Sequence, residues 1–330
     1  MIDRHANRHG FTRIELLLLI TSMCVFVAAG VPLALEGNVQ LIGTRACANR
    51  LRVIAETAIN YAIENDDWII GAPSGSGAYL QGQPTAFGPA VQTWDFMGPM
   101  LHRWEPEAPL PEPGDLNGVV DRFNEIRSHS GFLDPANGFV ATHFAGPDAG
   151  PGPMISYNTT RNQLWRDIDV PTGNNLNLPV GWRPSVSLMG NPANKVFCAD
   201  GSRFSAPTIP PDYDLSVNTG FGGAFADDAP FSQFTRSWDR SWAPGNGGQF
   251  GIDPRIYAYR HSIGQPPPGA QADAFKMNLA FYDGHVERQG DLQSSDPQQW
   301  LPSGSRLRAT NVWRDTRIAF QLPSLVIIGD

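Results

Sequence analysis

The feature that most constrains this chain is an apolar run near its N-terminus. From Leu16 to Leu35 the sequence carries twenty residues without a formal charge. A helix that rises about 1.5 Å per residue would cross a hydrocarbon core over this length. Arg4, Arg8 and Arg13 precede the run, so the positive-inside rule places the N-terminus in the cytoplasm. We therefore expect a single-pass membrane protein whose larger part lies on the extracytoplasmic side.

A glutamate, Glu15, stands at the entrance of the run. A carboxylate driven to mid-bilayer costs about 2–3 kcal/mol, and a disposable secretory signal has no reason to carry one. In the first turn of a helix at the membrane interface, the helix dipole would favour its negative charge. The alternative of a conventional signal peptide stays open, with Val27, Ala28 and Ala29 as the small residues before a mature start at Gly30.

The stretch GFTRIELLLLI, which begins at Gly10, resembles the processing site of type IV prepilins and type II secretion pseudopilins. The resemblance implies that prepilin peptidase cuts after Gly10 and that Phe11 becomes the N-methylated first residue. It also implies that Glu15 pairs with the free amine of a neighbouring subunit during assembly, and that Pro32 bends the helix. The sequence departs from the family pattern at Arg13, where an apolar residue is usual.

This resemblance implies a structural function rather than an enzymatic one. We expect a pseudopilin or pilin-like subunit of a type II secretion or type IV pilus-type filament, held in the bacterial inner membrane. Its implied partners are prepilin peptidase, other pilin or pseudopilin subunits, and the secretion or pilus assembly machinery. The formal net charge of −8, without a long basic tract, argues against nucleic acid as a partner.

Beyond the apolar run, the sequence predicts that the helix continues outside the membrane. Apolar residues recur at alternating intervals of four and three, which is typical of one helix face. These residues are Cys47, Leu51, Ile54, Ala58 and Tyr61. Asn65, Asp66 and Asp67 then disfavour further helix. The predicted division is a leader over 1–10, a membrane half-helix over 11–36, an extracytoplasmic half-helix over 37–66 and a β-rich domain over 67–330.

The region after residue 67 predicts short strands separated by turns. With 34 Gly and 29 Pro in 330 residues, the chain carries many turns and long ordered loops. We expect strands over 138–144, 154–160, 195–201, 255–261 and 277–289. The expected fold class is α+β and pilin-like, in which a long N-terminal helix packs on an antiparallel β-sheet domain.

The last of these stretches predicts a β-hairpin. Its strand runs into Asp283 and Gly284, a pair suited to a two-residue turn. This part also resembles the C-terminal element of pseudopilin-like proteins abundant in planctomycetes, in which a His precedes an Asp-Gly pair by nine residues. The matching residues are His261, Asp283 and Gly284, but here twenty-one residues separate His261 from Asp283. The segments CANRLRVIAETAINYAIEND and VFCADG are similar to further parts of that family.

Two cysteines, Cys47 and Cys198, lie outside the apolar run. A disulfide between them would clamp the helix to a strand and stabilise the fold by about 3–5 kcal/mol. Two buried free thiols are the alternative.

The rival function is a membrane-anchored extracytoplasmic hydrolase or carbohydrate-binding protein. His261, Asp283 and His285 could form a hydrolytic or metal-binding set. Additional carboxylates available to it are Asp200, Asp212, Asp214, Asp227 and Asp228. Trp238 and Trp242 could stack on sugar rings. We favour structural roles, because Asp283 occupies a position where a turn favours Asp for its backbone geometry.

We expect no cofactor and assign no catalytic residue. A calcium site is a further alternative, for which Asp212 and Asp214 alternate along PPDYDLSVN.

Overall fold

The computed structural model describes a set of ranges that all lie after residue 42. They are residues 43–71, 96–107, 129–137, 140–141, 152–153, 156–164, 176–201, 226–233, 235, 237–238, 240, 255, 257–262 and 271–330. Within these ranges, no helix has the length and apolar character needed to cross a membrane. The predicted leader and membrane half-helix, residues 1–36, lie outside them.

The described ranges contain three α-helices and ten strands. The helices are α1 over residues 43–64, α2 over Met97–Trp104 and α3 over Arg314–Ala319. The strands are β1 Val140–Ala141, β2 Gly152–Pro153, β3 Tyr157–Thr160, β4 Leu176–Asn177, β5 Val196–Asp200, β6 Ala226–Asp227, β7 Lys276–Phe281, β8 Val286–Gly290, β9 Arg306–Arg308 and β10 Leu325–Ile327. Antiparallel sheets and helices together confirm the α+β class.

Helix α1 buries the apolar face that the sequence predicts. All five stripe residues are at most 9% exposed and belong to the same hydrophobic core as β5 and β7. The other side of the helix carries solvent-exposed residues such as Arg52, Glu56 and Ile63. One-sided burial of this kind is what a 3.6-residue apolar period produces when a helix packs on a sheet.

Helix α1 ends at the acidic pair that the sequence marks as its boundary. Asp66 and Asp67 have φ angles of 49° and 69°, in the left-handed region that interrupts a helix. The Asp67 backbone N–H donates to the carbonyl of Ala62 at 2.8 Å. The Asp67 carboxylate accepts hydrogen bonds from the Ser187 hydroxyl at 2.5 Å and from the Ser185 hydroxyl. The helix end is therefore fastened to the loop that precedes β5.

The largest sheet has the order β6-β3-β5-β7-β8. Its pairs are antiparallel except for β3 with β6, which is parallel, so the sheet is mixed rather than purely antiparallel as expected. Strand β5 lies at its centre, and all of its residues are buried. A three-stranded antiparallel sheet has the order β10-β9-β4, and β1 pairs with β2. The central position of β5 brings its C-terminal residue into the core.

The predicted hairpin forms between β7 and β8, but its turn has three residues rather than two. Ala280 pairs with Val286, and the Phe281 N–H donates to the His285 carbonyl at 3.0 Å. The Gly284 N–H donates back to the Phe281 carbonyl, also at 3.0 Å. Only Gly284 has a positive φ, at 90°, as expected for a three-residue loop that ends in one left-handed residue.

The predicted strand over 255–261 is not a strand in its described residues, which form a single bridge from Tyr257 to Gly201. The Ala258 N–H donates to the Asp200 carbonyl, and the His261 N–H donates to the Lys276 carbonyl. This segment therefore forms backbone hydrogen bonds with the end of β5 and the beginning of β7, instead of pairing with a single strand along its length. The consequence is that His261 lies beside both strands.

Candidate functional site

Four buried side chains from distant parts of the chain meet where α1 packs against the sheet. They are Cys47, Asp134, Asp200 and His261, and one ligand atom from each lies within 4.8 Å of the others. Each residue is at most 3% exposed. They come from α1, from the loop after the short 3-10 turn Ser130–Phe132, from the last position of β5, and from the segment before β7. We call these four residues the core cluster.

The interatomic distances in the core cluster are short. The Cys47 thiol donates to Asp200 Oδ1 at 2.8 Å. His261 Nε2 lies 3.1 Å from Asp134 Oδ2 and 3.1 Å from Asp200 Oδ2. One imidazole nitrogen therefore faces two carboxylates at equal distance, with a thiol on the second carboxylate.

Backbone groups hold both carboxylates in place. Asp200 Oδ2 accepts from the Asn278 N–H at 2.7 Å. Asp134 Oδ1 accepts from the Ala136 N–H at 2.9 Å, in the turn that this aspartate begins. On the far side of the imidazole ring, His261 Nδ1 lies 3.4 Å from the hydroxyl of Thr44, one helical turn before Cys47. Groups outside the core cluster therefore help to fix the orientation of its side chains.

A buried guanidinium balances part of the negative charge. Arg260 is 1% exposed, and its Nη1 lies 3.7 Å from Asp134 Oδ2. Its Nη2 donates to the Gly201 carbonyl at 2.5 Å. An isolated charge at this depth would cost several kcal/mol, so the carboxylates need such cationic neighbours.

Burial and neighbouring charges shift the titration of the cluster. Burial, followed by the charges of Asp134 and Asp200, raises the pKa of the Cys47 thiol well above its ordinary value. Burial alone lowers the pKa of His261, but nearby anionic groups, Asp200 foremost, outweigh it and raise that pKa well above its ordinary value. Burial raises the pKa of Asp134, but His261 and Arg260 outweigh it, so that the pKa is lowered.

This arrangement does not favour nucleophilic catalysis by Cys47. A reactive cysteine is partly exposed and has a lowered pKa, whereas Cys47 is 0% exposed and its pKa is raised. Two chemical states fit the geometry. In one, an imidazolium shares two carboxylates while a neutral thiol donates to Asp200. In the other, a cation binds the thiolate, the imidazole and both carboxylates.

The structure brings together some of the residues expected in the rival hydrolytic set and separates others. His261 meets Asp200 in the core cluster. Asp283 and His285 lie at the partly exposed tip of the β7–β8 hairpin, where Asp283 Oδ1 is 2.6 Å from His285 Nδ1 and accepts from the His285 N–H. The His285 ring stacks on Phe281 at a centroid distance of 4.1 Å. Asp283 and Gly284 therefore shape the turn.

Of the two alternatives for Cys47 and Cys198, the structure shows free thiols and no disulfide. Cys47 and Cys198 are both free and buried, which matches the alternative left open above. The thiol of Cys47 is directed to Asp200, two residues further along β5, rather than to Cys198. The link between α1 and the sheet at this point consists of polar side chains instead of a sulfur–sulfur bond.

Other predicted residues are distributed as follows. Gly10, Phe11, Glu15, Pro32, Asp212, Asp214 and Trp242 lie outside the described residues. Asp227 lies in β6, and Asp228 accepts a 3.5 Å hydrogen bond from Ser232. The calcium and filament assignments therefore stay predictions.

Trp238, proposed above as a sugar-stacking residue, donates its indole N–H to the Gln233 carbonyl and stacks on Trp313 at a centroid distance of 6.4 Å.

Sequence reasoning missed Asp134, Arg260 and Tyr157. Asp134 stands in the segment LDPANG, whose Asp-Pro pair indicates a turn but gives no sign of a buried partner. Arg260 directly precedes His261 in the sequence, but two adjacent basic residues do not indicate that both are buried. Tyr157 lies at the start of β3 opposite Asp200, and burial raises the pKa of its hydroxyl, with smaller contributions from Cys47, Asp134 and Asp200.

Comparison of this chain with protein-family models, with curated proteins and with solved structures found no match.

Proposed function

We propose that this chain is a pilin-like or pseudopilin-like subunit, anchored in the bacterial inner membrane by residues 11–36 and assembled into a filament through its N-terminal helix. One observation carries the proposal: α1, which follows the apolar run in sequence, packs its apolar stripe into the same hydrophobic core as β5 and β7 of the mixed sheet. A helix that is apolar on all sides over one segment and amphipathic over the next suits a spine that leaves the membrane and enters a folded domain.

The assembly chemistry follows from Glu15. Cleavage after Gly10 would create a free amine at Phe11, and this amine would carry a positive charge at neutral pH. In an apolar helix bundle, a carboxylate is costly unless it meets such a partner. An amine from one subunit and Glu15 from the next would therefore fix the stagger between helices. In this proposal the domain after residue 67 decorates the filament exterior.

Mass spectrometry of the mature N-terminus tests the processing step. The full chain would be produced in cells that also carry prepilin peptidase, and the membrane fraction would be digested and sequenced. We expect the first peptide to begin at Phe11 and to carry one added methyl group. Gly10→Val is the matched variant, because a branched side chain beside the scissile bond should block cleavage and leave residues 1–10 attached. A mature start at Gly30 would instead identify a conventional signal peptide.

Filament formation tests the role of Glu15 separately. We expect Glu15→Ala to be cleaved normally but to be lost from sheared and pelleted filaments. Glu56→Ala is the control, since Glu56 lies on the exposed face of α1 and should pellet like the unaltered chain. Equal recovery of Glu15→Ala and the unaltered chain in filaments would refute the pairing.

A further inference from the structure

We propose that Cys47, Asp134, Asp200 and His261 form a structural zinc(II) site that fastens α1 to the sheet. This inference does not rest on the filament proposal, and it departs from the expectation that the chain binds no metal except calcium. It rests on the ligand types, on their separations, and on buried atoms that other partners leave unsatisfied.

The ligand set selects the metal. A thiolate, an imidazole nitrogen and two carboxylate oxygens are all zinc ligands, and structural zinc takes four such ligands in a tetrahedron. Calcium and magnesium prefer sites made of oxygen alone, so a thiol and an imidazole argue against them. The four residues supply one donor atom each, which fills the tetrahedron.

The separations fit a small cation. Bond lengths of about 2.0–2.3 Å place the ligand atoms of tetrahedral zinc roughly 3.2–3.8 Å apart. His261 Nε2 lies 3.1 Å from each carboxylate, the Cys47 sulfur lies 2.8 Å from Asp200, and no pair of ligand atoms exceeds 4.8 Å. The atoms would shift by no more than about 1 Å on binding.

Two atoms of the cluster are left unsatisfied. His261 Nε2 and Asp134 Oδ2 are fully buried, and neither has a properly aligned hydrogen bond among the described residues, although they lie 3.1 Å apart. A single ring N–H cannot align with two carboxylate oxygens at once. Buried polar atoms without aligned partners are rare because each costs about 1–3 kcal/mol. A cation in contact with both atoms would remove this cost.

The charges of the site would balance. One thiolate and two carboxylates carry three negative charges, and zinc(II) together with the Arg260 guanidinium carries three positive charges. Arg260 is fixed by its bond to Gly201 and lies 3.7 Å from Asp134. A neutral total is what a site this deep in the core requires.

The groups around the cluster suit a metal-bound state. With Nε2 on zinc, His261 Nδ1 would carry the proton and face the Thr44 hydroxyl, now 3.4 Å away. Zinc-binding histidines almost always donate from their second nitrogen in this way. The Asn278 and Ala136 N–H groups already orient the two carboxylates. Tyr157 lies opposite Asp200 in the sheet, and its buried hydroxyl has no hydrogen-bond partner among the described residues.

The site would be structural rather than catalytic. All four ligands come from the protein and are at most 3% exposed, so no open position faces solvent. The ligands are spread over more than two hundred residues of sequence, from Cys47 to His261, and only the folded chain brings them together. Zinc binding would therefore stabilise the fold directly.

Metal content is the first test. The full chain would be purified in detergent from cells grown with added zinc, and zinc per chain would be measured by mass spectrometry after gel filtration. We expect close to one zinc per chain, and less than one tenth of that in Cys47→Ser and in His261→Asn. Cys198→Ser and His285→Asn are the matched controls, since each removes a cysteine or histidine outside the cluster, and both should retain zinc. Equal zinc in Cys47→Ser and Cys198→Ser would overturn the proposal.

A cobalt spectrum covers the case in which a cluster variant fails to fold. The unaltered chain would be stripped with a chelator and loaded with cobalt(II) alone. We expect intense visible bands of tetrahedral cobalt and a near-ultraviolet charge-transfer band from a thiolate ligand. Weak octahedral bands without the thiolate band, or no cobalt bound, would overturn the proposal and leave the imidazolium network as the state of the cluster.

Thermal unfolding of the same unaltered protein gives a third readout. Stoichiometric zinc should raise the unfolding midpoint of the stripped chain, and excess chelator should reverse the rise, because the metal binds only the folded state. An unchanged midpoint with zinc would overturn the proposal.

Discussion

The described residues bring histidine and aspartate together in two places, the core and the β7–β8 hairpin tip, and the two sites differ in almost every physical respect. His261 lies between Asp134 and Asp200 in the core, with a side-chain exposure of 1% for the histidine and 0% for both carboxylates. His285 pairs with Asp283 at the hairpin tip, where the two side chains are 42% and 37% exposed. The pairs have similar distances, 3.1 Å and 2.6 Å, yet only the core pair is surrounded by further charged and polar side chains.

The comparison teaches that distance alone does not assign a role to a histidine–aspartate pair. At the hairpin tip, water solvates both groups, so the pair contributes little beyond shaping the turn. In the core, the same residue types lose their hydration, so their charges must be compensated by neighbouring groups. We therefore expect the two regions to respond very differently to matched substitutions.

The largest difference should come from removing one carboxylate in each region. Asp200→Asn removes a buried charge and leaves one oxygen where two now accept from Cys47 and Asn278, so we expect the free energy of unfolding to fall by about 3–5 kcal/mol. Asp283→Asn should change the free energy of unfolding by less than about 1 kcal/mol. Urea unfolding of the full chain in detergent, followed by tryptophan fluorescence, measures both. Similar losses in the two variants would contradict the distinction.

Helix α1 offers the same contrast between a buried and an exposed position, here with two apolar side chains. Leu51 is 0% exposed and Ile63 is 76% exposed on the same helix. Leu51→Ala should cost about 2–4 kcal/mol through lost burial and a cavity. Ile63→Ala should change stability by less than about 0.5 kcal/mol. The unfolding midpoints of the two variants measure the difference, and a comparable cost at Ile63 would mean that another surface covers it.

A buried lysine outside the core cluster tests whether burial makes the stability of the fold depend on pH. Lys195 is 1% exposed, and its ammonium donates to the carbonyls of Gln298 and Gly329. Burial lowers its pKa to about 8, against the weaker opposing effects of Asp330 and Asp296. The unfolded chain then binds more protons than the folded chain between pH 8 and the ordinary lysine pKa of about 10.4, so stability rises with pH in that window.

Comparison with Lys195→Met isolates this contribution, because all other groups are shared. We expect the unaltered chain to gain roughly 1–2 kcal/mol relative to the variant between pH 8 and 10, after allowance for solvent screening. Below pH 8 the difference should stay constant. Urea unfolding at several pH values measures it, and a difference that is flat over the whole range would contradict the lowered pKa.

The smallest expected effect lies at the hairpin turn. Gly284 has a φ of 90°, and a Cβ there would meet only the Ile59 side chain at 3.5 Å, so space is not the obstacle. Gly284→Ala should cost about 1 kcal/mol because of backbone strain. Gly284→Asn should cost less, since asparagine tolerates the left-handed region. Thermal midpoints of the two variants measure this, and the opposite order would mean that side-chain contacts decide the turn.

Local chemistry made much of the described fold predictable. The apolar period of α1, its end at Asp66 and Asp67, and the hairpin near Gly284 each depend on neighbours in sequence. The three-residue turn was missed because Asp-Gly suits both turn lengths, and strand register decides between them. The parallel pairing of β3 with β6 depends on a long connection, which no local pattern reveals.

The core cluster was only half predictable. His261 and Asp200 could be proposed as members of a hydrolytic or metal-binding set, because imidazole and carboxylate groups serve both chemistries. Asp134 could not, because a turn aspartate in LDPANG has the same local signature whether it faces water or a buried histidine. Contacts between residues 47, 134, 200 and 261 are long-range in sequence, and only the fold specifies them.

The attachment of α1 at both ends has a mechanical consequence. Cys47 holds one part of the helix to β5, and Asp67, three residues after the last helical residue, holds the other end to Ser185 and Ser187. About 25 Å of helix lies between Cys47 and the helix end at residue 64. A pull along the helix axis would therefore load both attachments in shear at once, instead of peeling the helix away one turn at a time. Any sliding or rotation of the helix against the sheet would break hydrogen bonds at both attachments. A force applied along the helix would therefore be transmitted to the folded domain at two points.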